Sequence, residues 1–393
     1  MTTRHLALAA LALTACGGAP DGAAPLPDAA RVPDAALVAP DDALPPLDDV
    51  ALDASRGDVA SADVPAAPDA PAGPDVPPVE TTDNQWRWVD IPGSACANGT
   101  PTGFGVNRRP GARGVLIFLQ GGGACWDGAS CWGPVSTSFF VATGYGRVQF
   151  ATDVIALASL FLRRDAAANP FRDFNLVYVP YCTGDVHAGD RVATYQWLGN
   201  RPTHHRGGHN LELFLPRIAA TFPDAERVFL AGDSAGGFGV ALNLHRVVEA
   251  FPRARVAGLD DSGPPVQPAG DRWATWAAAW GVRFPPECPA ACATDIDVAI
   301  DVYRRRLGDT RVAVMSFEND LVIRTFMGHD AQSYGLRLRA LAGRVDAQWP
   351  SARYFLTPGV SHVLEIQPIR PPGYDDWVRR FVEGDPTLRS VQP

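Results

Sequence analysis

Six apolar runs, at 115–120, 176–180, 228–231, 256–259, 312–317 and 354–357, are each followed at once by a polar or glycine-rich turn. Continuous apolar runs of this length, separated by long intervals with helix-like spacing, predict the buried strands of a mostly parallel sheet. Behind the third run, residues 237–248 carry Phe238, Val240, Leu242, Leu244 and Val247, which predicts a largely buried helix. Residues 374–381 place Tyr374, Trp377, Val378 and Phe381 at helical spacing, predicting a cover helix with no functional role. The pattern as a whole predicts an α/β fold with helices flanking a central sheet.

The beginning of the chain does not share this pattern. Residues 1–15 combine Arg4 and His5 with an apolar run from Leu6 to Leu13, the form of a signal peptide and too short for a membrane span. The small residues just before Cys16 resemble a bacterial lipobox, which implies a lipidated Cys16, an exported protein and a membrane contact made only through that anchor. Residues 16–82 are dominated by Ala, Pro, Asp, Val and Leu and contain no aromatic side chain. Such a segment cannot offset its ordering entropy by burial, so a disordered spacer is predicted, with one catalytic domain over 83–393. As a flexible coil, a spacer of this length reaches on the order of 45 Å, and self-repulsion extends it.

Charge follows the same division. Residues 17–82 hold twelve Asp and one Glu against Arg31 and Arg56, so this segment accounts for the chain's net charge of −9. Without it and Arg4 the remainder is close to neutral, and no basic stripe suggests a nucleic-acid partner. The chain has no lysine, which excludes a Schiff-base lysine, a Walker A lysine and a Ser-Lys dyad. Six cysteines follow Cys16. In an exported chain they suggest three disulfides among fifteen possible pairings. Short separations favour Cys125 with Cys131 and Cys288 with Cys292, leaving Cys96 with Cys182.

Ligands in open α/β sheets sit beyond the carboxyl ends of the strands, so the turns carry the chemistry. The third turn reads Gly232-Asp233-Ser234-Ala235-Gly236, a G-x-S-x-G nucleophile elbow that would expose the Ser234 hydroxyl between strand and helix. The fifth reads Glu318-Asn319-Asp320 and the sixth Pro358-Gly359-Val360-Ser361-His362, giving the order Ser, Asp, His of α/β-hydrolases. A serine hydroxyl needs a base to take its proton, the role assigned to His362, and a carboxylate to orient that base, assigned to Asp320. Glu318, Asp260 and Asp261 are competing strand-end carboxylates. The first turn, Gly121-Gly122-Gly123, lets backbone amides approach a developing oxyanion, so Gly122 and Gly123, with Ala235 after the nucleophile, are the expected donors. Gly-Asp-Ser also occurs in trypsin-like proteases, but there histidine and aspartate precede the serine. His187, His204, His205 and His209 could be drawn as a metal site; without a carboxylate or cysteine at ligand spacing, loop or helix-cap histidines are expected, with no metal and no cofactor.

The stretches Leu119-Gln120-Gly121-Gly122-Gly123-Ala124-Cys125-Trp126 and Pro180-Tyr181-Cys182-Thr183-Gly184-Asp185-Val186, with the Ser234 elbow and His362, resemble the pectin acetylesterase and Notum carboxylesterase family, particularly its bacterial members. The resemblance implies an α/β-hydrolase fold, serine esterase chemistry on acyl esters of larger molecules, and no cofactor. By it, Ser234, Asp320 and His362 match the triad, and Gly122, Gly123 and Ala235 the oxyanion positions. Plant members carry Gly-Gly-Gly-Trp-Cys where this chain has Gly123-Ala124-Cys125-Trp126, and some have cysteine at Asp233. Pectin therefore does not follow as the substrate. Residues 134–171 and 266–307 are expected to be inserted segments capping the site and setting selectivity.

These observations lead to a monomeric, lipid-anchored carboxylesterase of the bacterial cell envelope that removes short, acetyl-type groups from a polymer such as a polysaccharide. A longer-chain lipase or depolymerase is the competing hydrolase, and a silent lipoprotein that binds a glycan or lipidated partner in the same cleft is the competing non-enzyme. Alkylation without reductant, read by intact mass, is expected to modify no cysteine of the folded part. Two or more modified thiols would reject the three-bridge assignment.

Overall fold

The computed structural model describes residues 76–134, 137–153 and 159–393. The leader, Cys16 and the spacer up to residue 75 lie outside the described residues. Packing reaches ahead of the expected boundary at 83, because the Val79 amide donates to Thr221 Oγ1 at 2.9 Å and its side chain is buried.

In chain order the strands are β1 (Trp86–Asp90), β2 (Gly103–Asn107), β3 (Gly114–Leu119), β4 (Asn175–Val179), β5 (Arg191–Gln196), β6 (Asn200–His205), β7 (Arg227–Asp233), β8 (Arg255–Asp261), β9 (Arg311–Phe317) and β10 (Ala352–Thr357). Among the described residues, eight of them form one sheet in the order β1-β2-β4-β3-β7-β8-β9-β10. Every pairing from β4 to β10 is parallel, and β1–β2 and β2–β4 are antiparallel. This is the mostly parallel, helix-flanked sheet of an α/β-hydrolase-like fold. The six predicted strands all occur within a few residues of their predicted limits; β1, β2 and the β5–β6 hairpin were not foreseen.

The parallel strands read as continuous apolar runs because both of their faces are covered. In β3, Val115, Ile117 and Leu119 pack with Leu211, Phe214 and Ile218 of the helix Gly207–Thr221 and with Val240, Leu244 and Val247 of the helix Ala235–Ala250. The alternate residues Leu116 and Phe118 pack on the other face, where Tyr374, Trp377 and Phe381 of the helix Tyr374–Glu383 close the core. The helices Arg272–Trp280, Ile296–Leu307 and Ala331–Gln348 share a third cluster with Val314, Tyr354 and Leu356. No described helix is long and apolar enough to cross a membrane.

Disulfides join Cys96 to Cys182, Cys125 to Cys131 and Cys288 to Cys292. Two of them brace the loops after β3 and β4, where the Cys125 amide also donates to the Gly184 carbonyl at 2.8 Å.

The elbow needs its last glycine for a packing reason. A Cβ on Gly236 would lie 2.0 Å from the Leu119 carbonyl oxygen of β3, a backbone atom that cannot yield cheaply. Gly236→Ala is therefore expected to cost about 1–3 kcal/mol, seen as a lower urea midpoint at unchanged slope. A wild-type midpoint would contradict this account of the close approach.

Candidate active site

The predicted turns converge at one end of the sheet. Ser234 follows β7 directly, with φ 53° and ψ −119°, and begins the helix Ala235–Ala250. A non-glycine residue in this region is strained, and it persists only where the surroundings hold it. Two bonds do so here. The Ser234 amide donates to the Asp261 carbonyl at 2.8 Å, and the Gly121 amide donates to Asp233 Oδ1 at 2.8 Å, so the elbow is tied to β8 on one side and to the glycine loop on the other.

The glycine loop is held by its carbonyls. Phe139 donates its amide to Gly122 O at 2.8 Å, and Ala124 donates to Thr137 O at 3.1 Å. Gly123 has φ 79°, and a Cβ there would meet the Thr137 carbonyl at 2.0 Å. The amides of Gly122, Gly123 and Ala235 have no acceptor among the described residues. The helix N-terminus at Ala235 adds its partial positive charge beside them.

Asp320 and His362 meet directly. His362 Nδ1 lies 2.8 Å from Asp320 Oδ2, and a carboxylate only accepts, so the imidazole donates from Nδ1 and keeps Nε2 as the acceptor. Asp320 is fully buried, and its Oδ1 accepts the amides of Val322 and Ile323 at 3.0 Å, capping the helix Leu321–Met327. Ser234 Oγ and the imidazole are not hydrogen-bonded to each other here, although the imidazole is close enough to the elbow to act electrostatically on Asp233. In the absence of substrate such bonds are often long and tighten only in the complex.

Of the competing carboxylates, Glu318 stands at the end of β9, where its amide donates to Thr357 O. Asp260 and Asp261 lie beneath the site, completely buried. Burial pushes the carboxyls of Asp233, Asp260, Asp261 and Glu365 above the usual range, Asp233 to about 6. For Asp233 the Gly121 amide and the His362 imidazole oppose that rise, and Asp261 adds to it.

The four histidines have separate places. His187 is buried and donates from Nε2 to the Gln120 carbonyl at 2.8 Å, in ring contact with Tyr181. His204 and His205 belong to β6 and not to a loop or helix cap; His205 donates to Thr183 O and accepts from the Tyr195 hydroxyl. His209 lies in the helix Gly207–Thr221, 3.6 Å from Asp190. Among the described residues no three His, Cys, Asp or Glu side chains gather as metal ligands would.

Beside Ser234 opens a pocket of about 30 Å³, walled by Phe238, Trp276, Ile323, Phe326 and Met327. Trp276 comes from the expected capping segment 266–307. Ile323, Phe326 and Met327 come from the helix Leu321–Met327, which sequence reasoning did not place over the site. Trp126 does not line this pocket but packs against Trp276 with ring centroids 5.4 Å apart. A larger cleft, about 600 Å³, lies between Trp86, Arg147, Phe150 and Arg163, and no described residue of the elbow lines it.

The model of the pectinacetylesterase family matches residues 87–268, which include the glycine loop and the elbow and end before Asp320 and His362. Over these residues the chain is similar to the pectinacetylesterase family. It is 30% identical over 178 residues to the palmitoleoyl-protein carboxylesterase NOTUM of Mus musculus, covering 43% of this chain and 33% of that one. The palmitoleoyl-protein carboxylesterase notum1a of Danio rerio is 29% identical over 191 residues, 46% of this chain and 36% of its own. The NOTUM of Drosophila melanogaster is 26% identical over 214 residues, 51% and 28%. The chain thus spans about a third of the length of the curated relatives it matches.

Asp233 offers a direct electrostatic test. Its folded value of about 6 lies above the ordinary 3.8, so between these the folded protein holds a proton that the unfolded chain has lost. Its contribution to stability is complete below the lower value and disappears as pH rises through the upper one. Asp233→Asn keeps an acceptor for Gly121 and abolishes the titration. Between about pH 4 and pH 7, urea unfolding is expected to show wild type losing on the order of 3 kcal/mol relative to the variant. Parallel pH curves would contradict this.

Proposed function

We propose that the chain is a serine carboxylesterase acting on short acyl esters carried by a larger molecule. The observation that carries this reading is the pairing of Asp320 with His362 Nδ1 at the sheet end that also presents Ser234 in a strained elbow beside unpaired backbone amides. In this reaction His362 Nε2 takes the proton of Ser234 Oγ as it attacks the ester carbonyl carbon. The negative charge collects on the carbonyl oxygen, where the amides of Gly122, Gly123 and Ala235 receive it; removing one such donor typically costs about 10²–10³-fold in rate. As the tetrahedral centre collapses, His362 gives the proton to the departing alcohol oxygen and an acyl-Ser234 ester remains. Water, deprotonated by the same imidazole, then attacks this ester, releasing the carboxylic acid and restoring Ser234. Asp320 keeps the imidazole in the tautomer that accepts at Nε2 and stabilises the imidazolium.

The size of the pocket supports a short acyl group. The curated relatives are named palmitoleoyl-protein carboxylesterases, whereas the space beside Ser234 is narrow, about 30 Å³. The bulky side chains of Trp276 and Phe326 narrow it. The proposal extends to place: export, anchoring through Cys16 to the cell envelope as a monomer, and access to polymer-linked esters through the spacer. Three disulfides suit an oxidising compartment.

Two measurements test this reading. A fluorophosphonate probe is expected to label the wild type and not Ser234→Ala; folded wild type that stays unlabelled would favour a non-catalytic binder. Across chromogenic esters, kcat/KM is expected to fall on the order of tenfold or more from acetyl to octanoyl, and Phe326→Ala to narrow that gap. A wild-type preference for octanoyl would replace the short-chain assignment with a lipase.

A further inference from the structure

The histidine turn has a long way to return. β10 is the last strand of the sheet, and β9 and β8 separate it from β7, so the turn after β10 must cross two strand ends to bring His362 towards Ser234. The end of β8 receives it. Asp261 Oδ1 accepts the Leu364 amide and Oδ2 the Glu365 amide, both at 2.9 Å, and Ser262 Oγ accepts the Val363 amide at 3.1 Å. Three successive amides after His362 are thus held by two successive side chains. The Ser262 hydroxyl donates to Asp261 Oδ1 at 2.8 Å and the Tyr374 hydroxyl to Oδ2 at 3.2 Å, so neither carboxylate oxygen is free to swing away. Asp261 and Ser262 are both fully buried.

The other side of the same residue faces the nucleophile, since the Asp261 carbonyl accepts the Ser234 amide at 2.8 Å. Left-handed backbone occurs at Ser234, Ser262 and Val363 with φ of 53°, 62° and 58°. Three strained positions among the residues joined by one set of hydrogen bonds show where the surroundings override local preference.

We propose that Asp261, assisted by Ser262, is a positioning residue that sets the distance between base and nucleophile: its carbonyl fixes the elbow and its carboxylate fixes the turn carrying His362. This rests on the serine esterase reading above. A displacement of about 1 Å in a catalytic constellation can cost about 10²-fold in rate, which sets the scale of the expected effect. In Asp261→Asn, one oxygen becomes an NH₂ that cannot accept from the turn, so part of the grip is lost. Ser262→Gly accepts the left-handed backbone and deletes only the hydroxyl.

The test compares full-length wild type, Asp261→Asn, Ser262→Gly and, as a control for stability alone, Val382→Ala in the cover helix. Each is titrated to completion with a fluorophosphonate, and kcat for a chromogenic acetyl ester is expressed per titrated serine. Asp261→Asn is expected to lose on the order of 10²-fold in kcat with KM within about threefold, and Ser262→Gly about tenfold. Val382→Ala is expected to melt earlier with kcat per titrated serine unchanged. Folded Asp261→Asn with wild-type kcat per site would overturn the proposal; if that variant does not fold, Ser262→Gly with wild-type kcat per site overturns it equally. Ser234→Ala separates the two levels, because activity retained there would defeat the esterase reading itself.

Discussion

Buried carboxylates in the turns beyond the strands, each accepting backbone amides, hold the end of the molecule that carries Ser234 together. A buried charge is costly unless it is hydrogen-bonded, so such a group takes the donors available, and the donors here are the loops. Asp185 accepts the amides of Gly189 and Gly207, fixing the start of the helix Gly207–Thr221. Asp233 accepts Gly121, Asp261 accepts Leu364 and Glu365, and Asp320 accepts Val322 and Ile323. Each bond crosses from one strand-end turn to another or closes a turn on itself. The loop layer is thus tied together by satisfying these oxygens as well as by apolar packing and the disulfides.

The arrangement carries an electrostatic consequence. In the proposed reaction a developing oxyanion beside Ser234 would be opposed by the charges of Asp233, Asp261 and Glu365 if all were ionised. Burial and mutual repulsion raise these carboxyls, and Asp233, the one next to the nucleophile, reaches about 6. The unpaired amides and the N-terminus of the helix Ala235–Ala250 act in the opposite sense. Near neutral pH a carboxyl with a value of about 6 is largely ionised, and the Gly121 amide and the His362 imidazole are the partners that favour its charged form.

Much of this was legible in the sequence, for reasons that differ between elements. β3, β4, β7, β8, β9 and β10 are buried on both faces, so they read as apolar runs, and the turns that follow them carry Ser234, Asp320 and His362 in hydrolase order. β1 and β2 hold Arg87, Asp90, Gly103 and Gly105 within them, and β5 and β6 are largely exposed, so neither pair shows a hydrophobic signature. The hydrogen bonds of Asp261 to the turn of His362 were hidden because their donors are amides a hundred residues away, and a backbone donor has no residue type. Asp260-Asp261-Ser262-Gly263 at a strand end was the only available signal, and it read as a rival triad acid. The helix Tyr374–Glu383 was expected to have no role beyond cover, yet Tyr374 places its hydroxyl on Asp261.

Asp320 joins the proposed base to the wall of the pocket beside Ser234 in one residue. One of its oxygens holds His362 Nδ1 and the other caps the helix Leu321–Met327, whose Ile323, Phe326 and Met327 wall the pocket beside Ser234. The cap fixes the first turn of that helix, so the wall cannot retreat from the pocket without loosening the carboxylate that holds His362 Nδ1. A wider acyl pocket in this scaffold would have to come from the far wall, at Trp276 and Phe238, or from smaller side chains on the helix itself, with its backbone kept in place.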